Sequence, residues 1–145
     1  MGKVIYTAEA KVNGGRIAGH GRTSDGLLEV DLRIAPELGG DGDGTNPEQL
    51  FAVGYAACFE NALAAVARRR KAEVGDVEID SKVMLVTGER RNFDIAVELA
   101  VKLPSLEAEE AVDLVRAAHE VCPYSNATRG NIEVTLTANG VSVAD

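Results

Sequence analysis

A chain of 145 residues with a net charge of −8 has room for one hydrophobic core and repels phosphate backbones, which excludes a nucleic-acid partner. With 46% apolar and 26% charged residues it is too rich in core-forming side chains to be a disordered chain. Glu9 comes too soon for a signal-peptide apolar region, and no uninterrupted run has the roughly 18 apolar residues of a membrane span; the expectation is a cytoplasmic protein with no membrane segment.

Val4, Tyr6, Ala8, Ala10 and Val12 alternate with more polar residues and predict a half-buried strand, closed by the turn Asn13-Gly14-Gly15. A polar stretch with Gly19 and Gly21 leads to a turn at Asp25-Gly26, after which Leu28, Val30, Leu32 and Ile34 alternate as a second strand. Beyond a glycine-aspartate loop at 39–44, Asn46 at the N-cap, Pro47 at the first helical position, and Glu48 and Gln49 behind it open a helix that runs to about Lys71. Phe51, Tyr55, Cys58 and Ala62 recur at helical spacing, and the scarcity of charge before Arg68 predicts burial on most of the circumference. The cluster Arg68-Arg69-Arg70-Lys71 complements the negative end of that helix.

Residues 77–85 and 93–101 alternate again and predict a hairpin joined at 88–92. Pro104-Ser105 opens a second helix, with acidic residues at its start and Arg116 and His119 near its end; Pro123 stops it. A short polar turn precedes a last strand carrying Ile132, Val134 and Leu136. This hairpin-dominated order predicts an α+β fold forming one domain over 1–145, with mostly antiparallel sheets around a long buried helix. Five or six strands cannot cover that helix on every side, so a dimer is expected.

Cys58 and Cys122 are the only cysteines, and in a reducing compartment a lasting structural disulfide is disfavoured while a transient redox pair is allowed. The bland alternative is that each is a small buried hydrophobe. Cys58 lies on the apolar face of a rigid helix, and Cys122 at a helix end before a proline, where the chain turns. A reactive Cys58 must be a thiolate, and an apolar setting opposes ionisation, so a cation is required. Arg16, Arg22, Arg129 and His119 are the candidates, and Arg16 follows a Gly-Gly turn that lets the backbone bend over another element. Glu48 lies about 15 Å from Cys58 along one helix, too far to act on the thiol itself. It is placed to orient Arg16, or to act from the other chain of a dimer.

The segment GTNPEQLFAVGYAACF at 44–59 resembles the first signature of the organic hydroperoxide resistance (Ohr) proteins. The segment CPYSNATRGNI at 122–132 resembles their second, and Gly14-Gly15-Arg16 resembles the loop that carries their catalytic arginine. The resemblance covers essentially the whole chain and implies an Ohr/OsmC-like fold and an intertwined homodimer. On the matched positions it implies Cys58 as the peroxidatic thiol, Cys122 as the resolving thiol, Arg16 as the thiolate's partner and Glu48 as the arginine's anchor. It further implies reduction of organic hydroperoxides through a Cys58–Cys122 disulfide that a dithiol, such as that of a lipoylated protein, reduces again. No metal or organic cofactor is required. Phe51, Tyr55 and Phe59 are candidates for an apolar substrate pocket, with a plain core role the alternative for each. Val53, Glu60 and Ile17-Ala18 depart from the pattern and bear on substrate preference more than on reaction type.

Three rival readings remain. The OsmC branch would bring a broader peroxide range. A metal- or ligand-binding dimer would use His119 and Cys122, three positions apart on one helical face, with Cys58, but lacks a fourth ligand. A general thiol-disulfide oxidoreductase is disfavoured because no Cys-x-x-Cys motif is present.

Overall fold

The Asn46 side-chain oxygen accepts the Gln49 N–H at 2.9 Å, and behind that cap helix α1 runs over Pro47–Arg69. The computed structural model describes residues 2–89 and 92–144, which fall into two compact units, Met1–Leu50 and Phe51–Asp145. Arg90 and Arg91, inside the turn expected at 88–92, lie outside the described residues.

The first unit holds a three-stranded antiparallel sheet in the order β1 (Ala10–Asn13), β2 (Gly19–Thr23), β3 (Glu29–Leu32), then a single 3-10 turn at Pro36–Leu38. The sequence pattern did not indicate β2. Its residues, GHGRT, include two glycines and no apolar alternation, and the ladder is imposed from both sides: Val12 pairs with Gly21 and Gly21 with Val30. The strand expected from Val4 begins only at Ala10. Residues 2–9 belong to no strand, and Val4, Ile5 and Tyr6 are 77%, 92% and 78% exposed. Alternation makes a segment able to join a sheet; it does not supply an edge to join. A parallel bridge between Leu32 and Thr45, with Thr45 N–H donating to Asp31 carbonyl at 2.8 Å, ties the loop before α1 to β3.

On the exposed face of this sheet His20 stands opposite Asp31, its Nδ1 2.9 Å from that carboxylate and its Nε2 2.7 Å from Glu29. Hydrogen bonding to Asp31 first, and then to Glu29, raises the His20 pKa above the usual 6.5. A pKa raised in the folded state adds stability that is complete below about 6.5 and is lost as pH rises through the raised value. An NMR titration of His20 is therefore expected to give a midpoint above that of a free imidazole, and His20→Phe to remove this part of the pH dependence. A midpoint at the free value would mean that the two bonds do not hold in solution.

The core lies in the second unit. There β4 (Glu78–Thr87), β5 (Phe93–Lys102), β6 (Val134–Ala138) and β7 (Val141–Val143) form one sheet in that order, packed by α1 and α2 (Ala108–Val121). Val97, Leu99 and Val101 of β5 and Leu136 and Ala138 of β6 are buried, while the register places Glu78 opposite Lys102 and Lys82 opposite Glu98 on the solvent side. The sheet is mixed: β5 and β6 are parallel, joined by the α2 crossover. The second helix starts at Ala108, and Pro104-Ser105 instead forms the turn leading to it. What read as a polar turn after Pro123 is a third helix, α3 (Pro123–Thr128).

The final strand turns back through Asn139-Gly140, Asn139 taking a left-handed φ of 48°. The Asn139 side chain accepts the Leu103 N–H at 2.7 Å and donates to the Leu103 carbonyl at 2.8 Å, so the hairpin is locked to the end of β5.

Within this chain α1 is buried on one face only. Tyr55, Phe59, Ala62, Leu63, Val66 and Ala67 are covered, whereas Val53, Ala57, Glu60, Asn61 and Ala64 are exposed. By length and composition the helix would also suffice to cross a membrane, its alanines joining leucine, valine and phenylalanine in one apolar stretch. Its three largest buried side chains, Tyr55, Phe59 and Leu63, are nevertheless committed to the core with no exposed surface.

Candidate functional site

Cys58 sits on α1, half-buried, and Cys122 at the junction of α2 and α3, fully buried. Both are free thiols, with Cys122 Sγ donating to Cys58 Sγ at 3.5 Å. A disulfide needs about 2.05 Å, so the sulfurs are in contact and about 1.5 Å short of a bond. The junction explains the placement. Cys122 ends α2, its N–H donating to the Ala118 carbonyl, and caps α3, its carbonyl accepting the Asn126 N–H, each at 2.9 Å. Pro123, with no N–H to give, takes the first position of α3.

Burial pushes the Cys58 thiol pKa upward, and the adjoining Cys122 acts in the same direction. The Tyr124 backbone N–H, hydrogen-bonded to Cys58, pulls the other way. Left to this unit alone, Cys58 is a poor nucleophile at neutral pH.

Tyr124 was not among the residues singled out from sequence, though it follows Cys122 by two positions in the second signature. Its ring completes a cluster with Phe51 and Tyr55, with centroid separations of 5.8 Å and 5.7 Å. Gly54 makes that approach workable: a Cβ there would stand 3.2 Å from the Tyr124 hydroxyl oxygen. A mid-helix glycine costs about 1 kcal/mol relative to alanine, and here it opens the space the ring occupies. Phe51 and Tyr124, with Phe93, Ile95 and Ile132, line an open groove of about 580 Å³. Of the other two pocket candidates, Phe59 lies in the core and Tyr55 is buried with its hydroxyl turned to Ser125 and Thr128.

Arg16 and Glu48 form a bidentate pair within the first unit, Nη1 to Oε2 at 2.9 Å and Nη2 to Oε1 at 2.8 Å. Arg16 rides on the β1–β2 turn, where Gly14 has a φ of +80° and a Cβ would meet the Ala18 carbonyl oxygen at 2.5 Å. Glu48 stands in the first turn of α1, where the helix dipole favours a carboxylate. Hydrogen bonding to Arg16 holds the Glu48 carboxyl below the usual glutamate range and raises the Arg16 guanidinium in turn. The four residues singled out from sequence thus occur as two pairs, one in each unit. Of the other cation candidates, Arg129 donates to the His119 carbonyl, and the His119 ring is engaged with Ser125. Among the described residues no group of three His, Cys, Asp or Glu side chains is arranged to hold a metal ion.

The family model described as OsmC-like protein matches residues 40–137. An organic hydroperoxide resistance protein of Xanthomonas axonopodis pv. citri (strain 306) is 53% identical over 139 residues, covering 93% of this chain and 95% of that protein. The crystal structure of the organic hydroperoxide resistance protein OhrB of Bacillus subtilis is similar at 46% identity, covering 92% of this chain and 98% of that one, with a TM-score of 0.84. A Vibrio cholerae structure, a putative organic hydroperoxide resistance protein with captopril bound in one of its active sites, superposes with a TM-score of 0.92 at 45% identity, covering 97% of this chain and 96% of that one. The chain belongs to the Ohr/OsmC family.

Proposed function

We propose that the chain is a thiol-dependent peroxidase that reduces organic hydroperoxides to alcohols. The observation that carries this reading is the contact of two free thiols at 3.5 Å, one on a rigid helix and one at a hinge between helices. The Cys58 thiolate attacks the terminal peroxide oxygen; the O–O bond breaks, the alkoxide leaves and takes a proton to become the alcohol, and Cys58 is left as a sulfenic acid. The Cys122 thiolate then attacks the Cys58 sulfur, hydroxide leaves as water after taking a proton, and a disulfide forms. An external dithiol, of the lipoylated kind, returns both residues to thiols by exchange.

The functional unit of the proposal is a homodimer. The uncovered face of α1 and residues 2–9, which belong to no strand and expose Val4, Ile5 and Tyr6, are the surfaces a second copy would cover. Arg16, held by Glu48, supplies the cation that offsets the burial of Cys58, from the same chain or its partner. The groove bounded by Phe51 and Tyr124 takes the apolar part of the hydroperoxide, and the protein works in the cytoplasm.

The test is a single turnover. Reduced protein given one equivalent of cumene hydroperoxide is expected to lose two thiols and about 2 Da, as one disulfide requires, and to react more slowly with hydrogen peroxide. Persistence of both thiols with either peroxide would overturn the reading.

A further inference from the structure

Tyr55, His119 and Ser125 take no part in the electron transfers above, yet all three are buried and their polar ends converge. The Ser125 hydroxyl oxygen lies 2.8 Å from the Tyr55 hydroxyl and 2.8 Å from His119 Nδ1. Tyr55 also reaches the Thr128 hydroxyl at 3.1 Å. Tyr55 and Ser125 have no exposed surface, and His119 has 4%. A buried hydroxyl shared in this way fixes the groups around it, because leaving any of them unpaired in the core is costly.

The placement of these groups is what gives the network a consequence. Tyr55 stands one helical turn before Cys58 on α1, His119 one turn before Cys122 on α2, and Ser125 three residues past Cys122 on α3. The same three elements therefore meet twice: once at the two sulfurs, and once at the Ser125 hydroxyl. Arg129 reinforces the second meeting, since its guanidinium donates to the His119 carbonyl and, at 2.9 Å, to Asn126 Oδ1.

We propose that the Tyr55–Ser125–His119 network is a positioning strut. It fixes the α2–α3 elbow so that Cys122 Sγ stays in line with Cys58 Sγ, and it sets the rate of disulfide closure rather than the rate of the first attack by Cys58. The place of this step in peroxide turnover rests on the reading given above. Closure moves one sulfur about 1.5 Å toward the other. A misplacement of about 1 Å can slow such a step by as much as 100-fold. Removing a group that served only the stability of the core would instead lower the unfolding midpoint and leave the rate of the folded protein unchanged.

The step can be read without peroxide, using the aromatic disulfide 5,5′-dithiobis(2-nitrobenzoate) on the reduced full-length protein. The half-buried Cys58 thiolate attacks it, releasing one coloured thiolate and leaving a mixed disulfide on Cys58. The Cys122 thiolate then attacks the Cys58 sulfur, releasing the second coloured thiolate and closing the protein disulfide. Ser125→Ala and His119→Leu are expected to slow the second release by on the order of tenfold, with the first release within about twofold of the wild type. His119→Asn, which returns a polar group near the Nδ1 position, is expected to restore the second rate. With cumene hydroperoxide, the two slow variants should hold a sulfenic acid long enough for dimedone to trap it and should pass more of it to sulfinic acid.

A second release at the wild-type rate in Ser125→Ala, or equal slowing of both releases, would overturn the strut. If His119→Leu does not fold, Ser125→Ala and His119→Asn decide the matter. If the second release behaves as expected but the wild-type protein leaves hydroperoxide unconsumed, the strut stands as a device for disulfide closure and the peroxidase reading falls.

Discussion

Cys58→Ser is expected to abolish hydroperoxide consumption, a loss on the order of 10³-fold or more, since the group that forms the covalent intermediate is gone. Cys122→Ser should behave differently. It retains the attacking sulfur, so each chain should consume one equivalent of hydroperoxide and then stop, about 16 Da heavier from the oxygen held as sulfenic acid. The contrast follows from the geometry. Cys58 is half-buried and is the sulfur an external molecule can meet, whereas Cys122 is sealed and has the Cys58 sulfur as its neighbour at 3.5 Å. Intact-mass analysis after one equivalent of peroxide separates the two variants. A Cys122→Ser protein that turns over repeatedly without added thiol would remove Cys122 from the mechanism, and a Cys58→Ser protein that forms a Cys122 sulfenic acid would exchange the two roles.

How much of this was legible in the sequence differs from element to element, and the differences have physical causes. The start of α1 was legible because Asn46 and Pro47 are local signals, a side-chain acceptor and a preset φ, and the structure uses both within one turn. The strands of the second unit were legible because burial on one face leaves period-two alternation behind, as in Val97, Leu99 and Val101. β2 was not, because a strand flanked on both sides can be made of glycine and polar residues when its neighbours provide the ladder. The turn Asn139-Gly140 is a strong local hairpin signal, but the strand it leads into, β7, is only three residues long, too short for alternation to mark it. His119 looked like a charge answering a helix dipole. Its burial and its bond to Ser125 depend on a fold-back at Pro123 that no local pattern reveals. The uncovered side of α1 is the clearest instance of information exceeding one chain: the sequence asks for burial on most of the helix, and a single copy delivers it on one face.

Arg16→Ala is expected to lower the rate of the first step about tenfold at neutral pH and to move its pH profile toward alkali. The direction can be worked out from the site. Burial raises the Cys58 thiol, so at neutral pH the thiolate is the minor form, and in the proposed dimer Arg16 is the charge that restores it. Below the thiol pKa the rate falls about tenfold for each pH unit, because it follows the thiolate fraction. Removing the cation raises that pKa further, so the variant loses most near pH 7 and recovers in alkali. Arg16→Lys keeps the charge but not the fork that meets both Glu48 oxygens, and should fall between the two. Glu48→Gln tests position apart from charge. An arginine stays protonated with or without its partner, so any slowing in this variant comes from a guanidinium no longer held in place. Because the Glu48 carboxyl is held below its usual range by Arg16, the pair persists as pH falls until that depressed value is reached, and an acid limb due to its loss belongs below about 4.5. Rates of thiol alkylation and of hydroperoxide reduction, measured on the same variants across the pH range, should shift together. An Arg16→Ala profile superimposable on that of the wild type would take Arg16 out of thiolate stabilisation and leave the pair a role only in holding the β1–β2 turn to the start of α1.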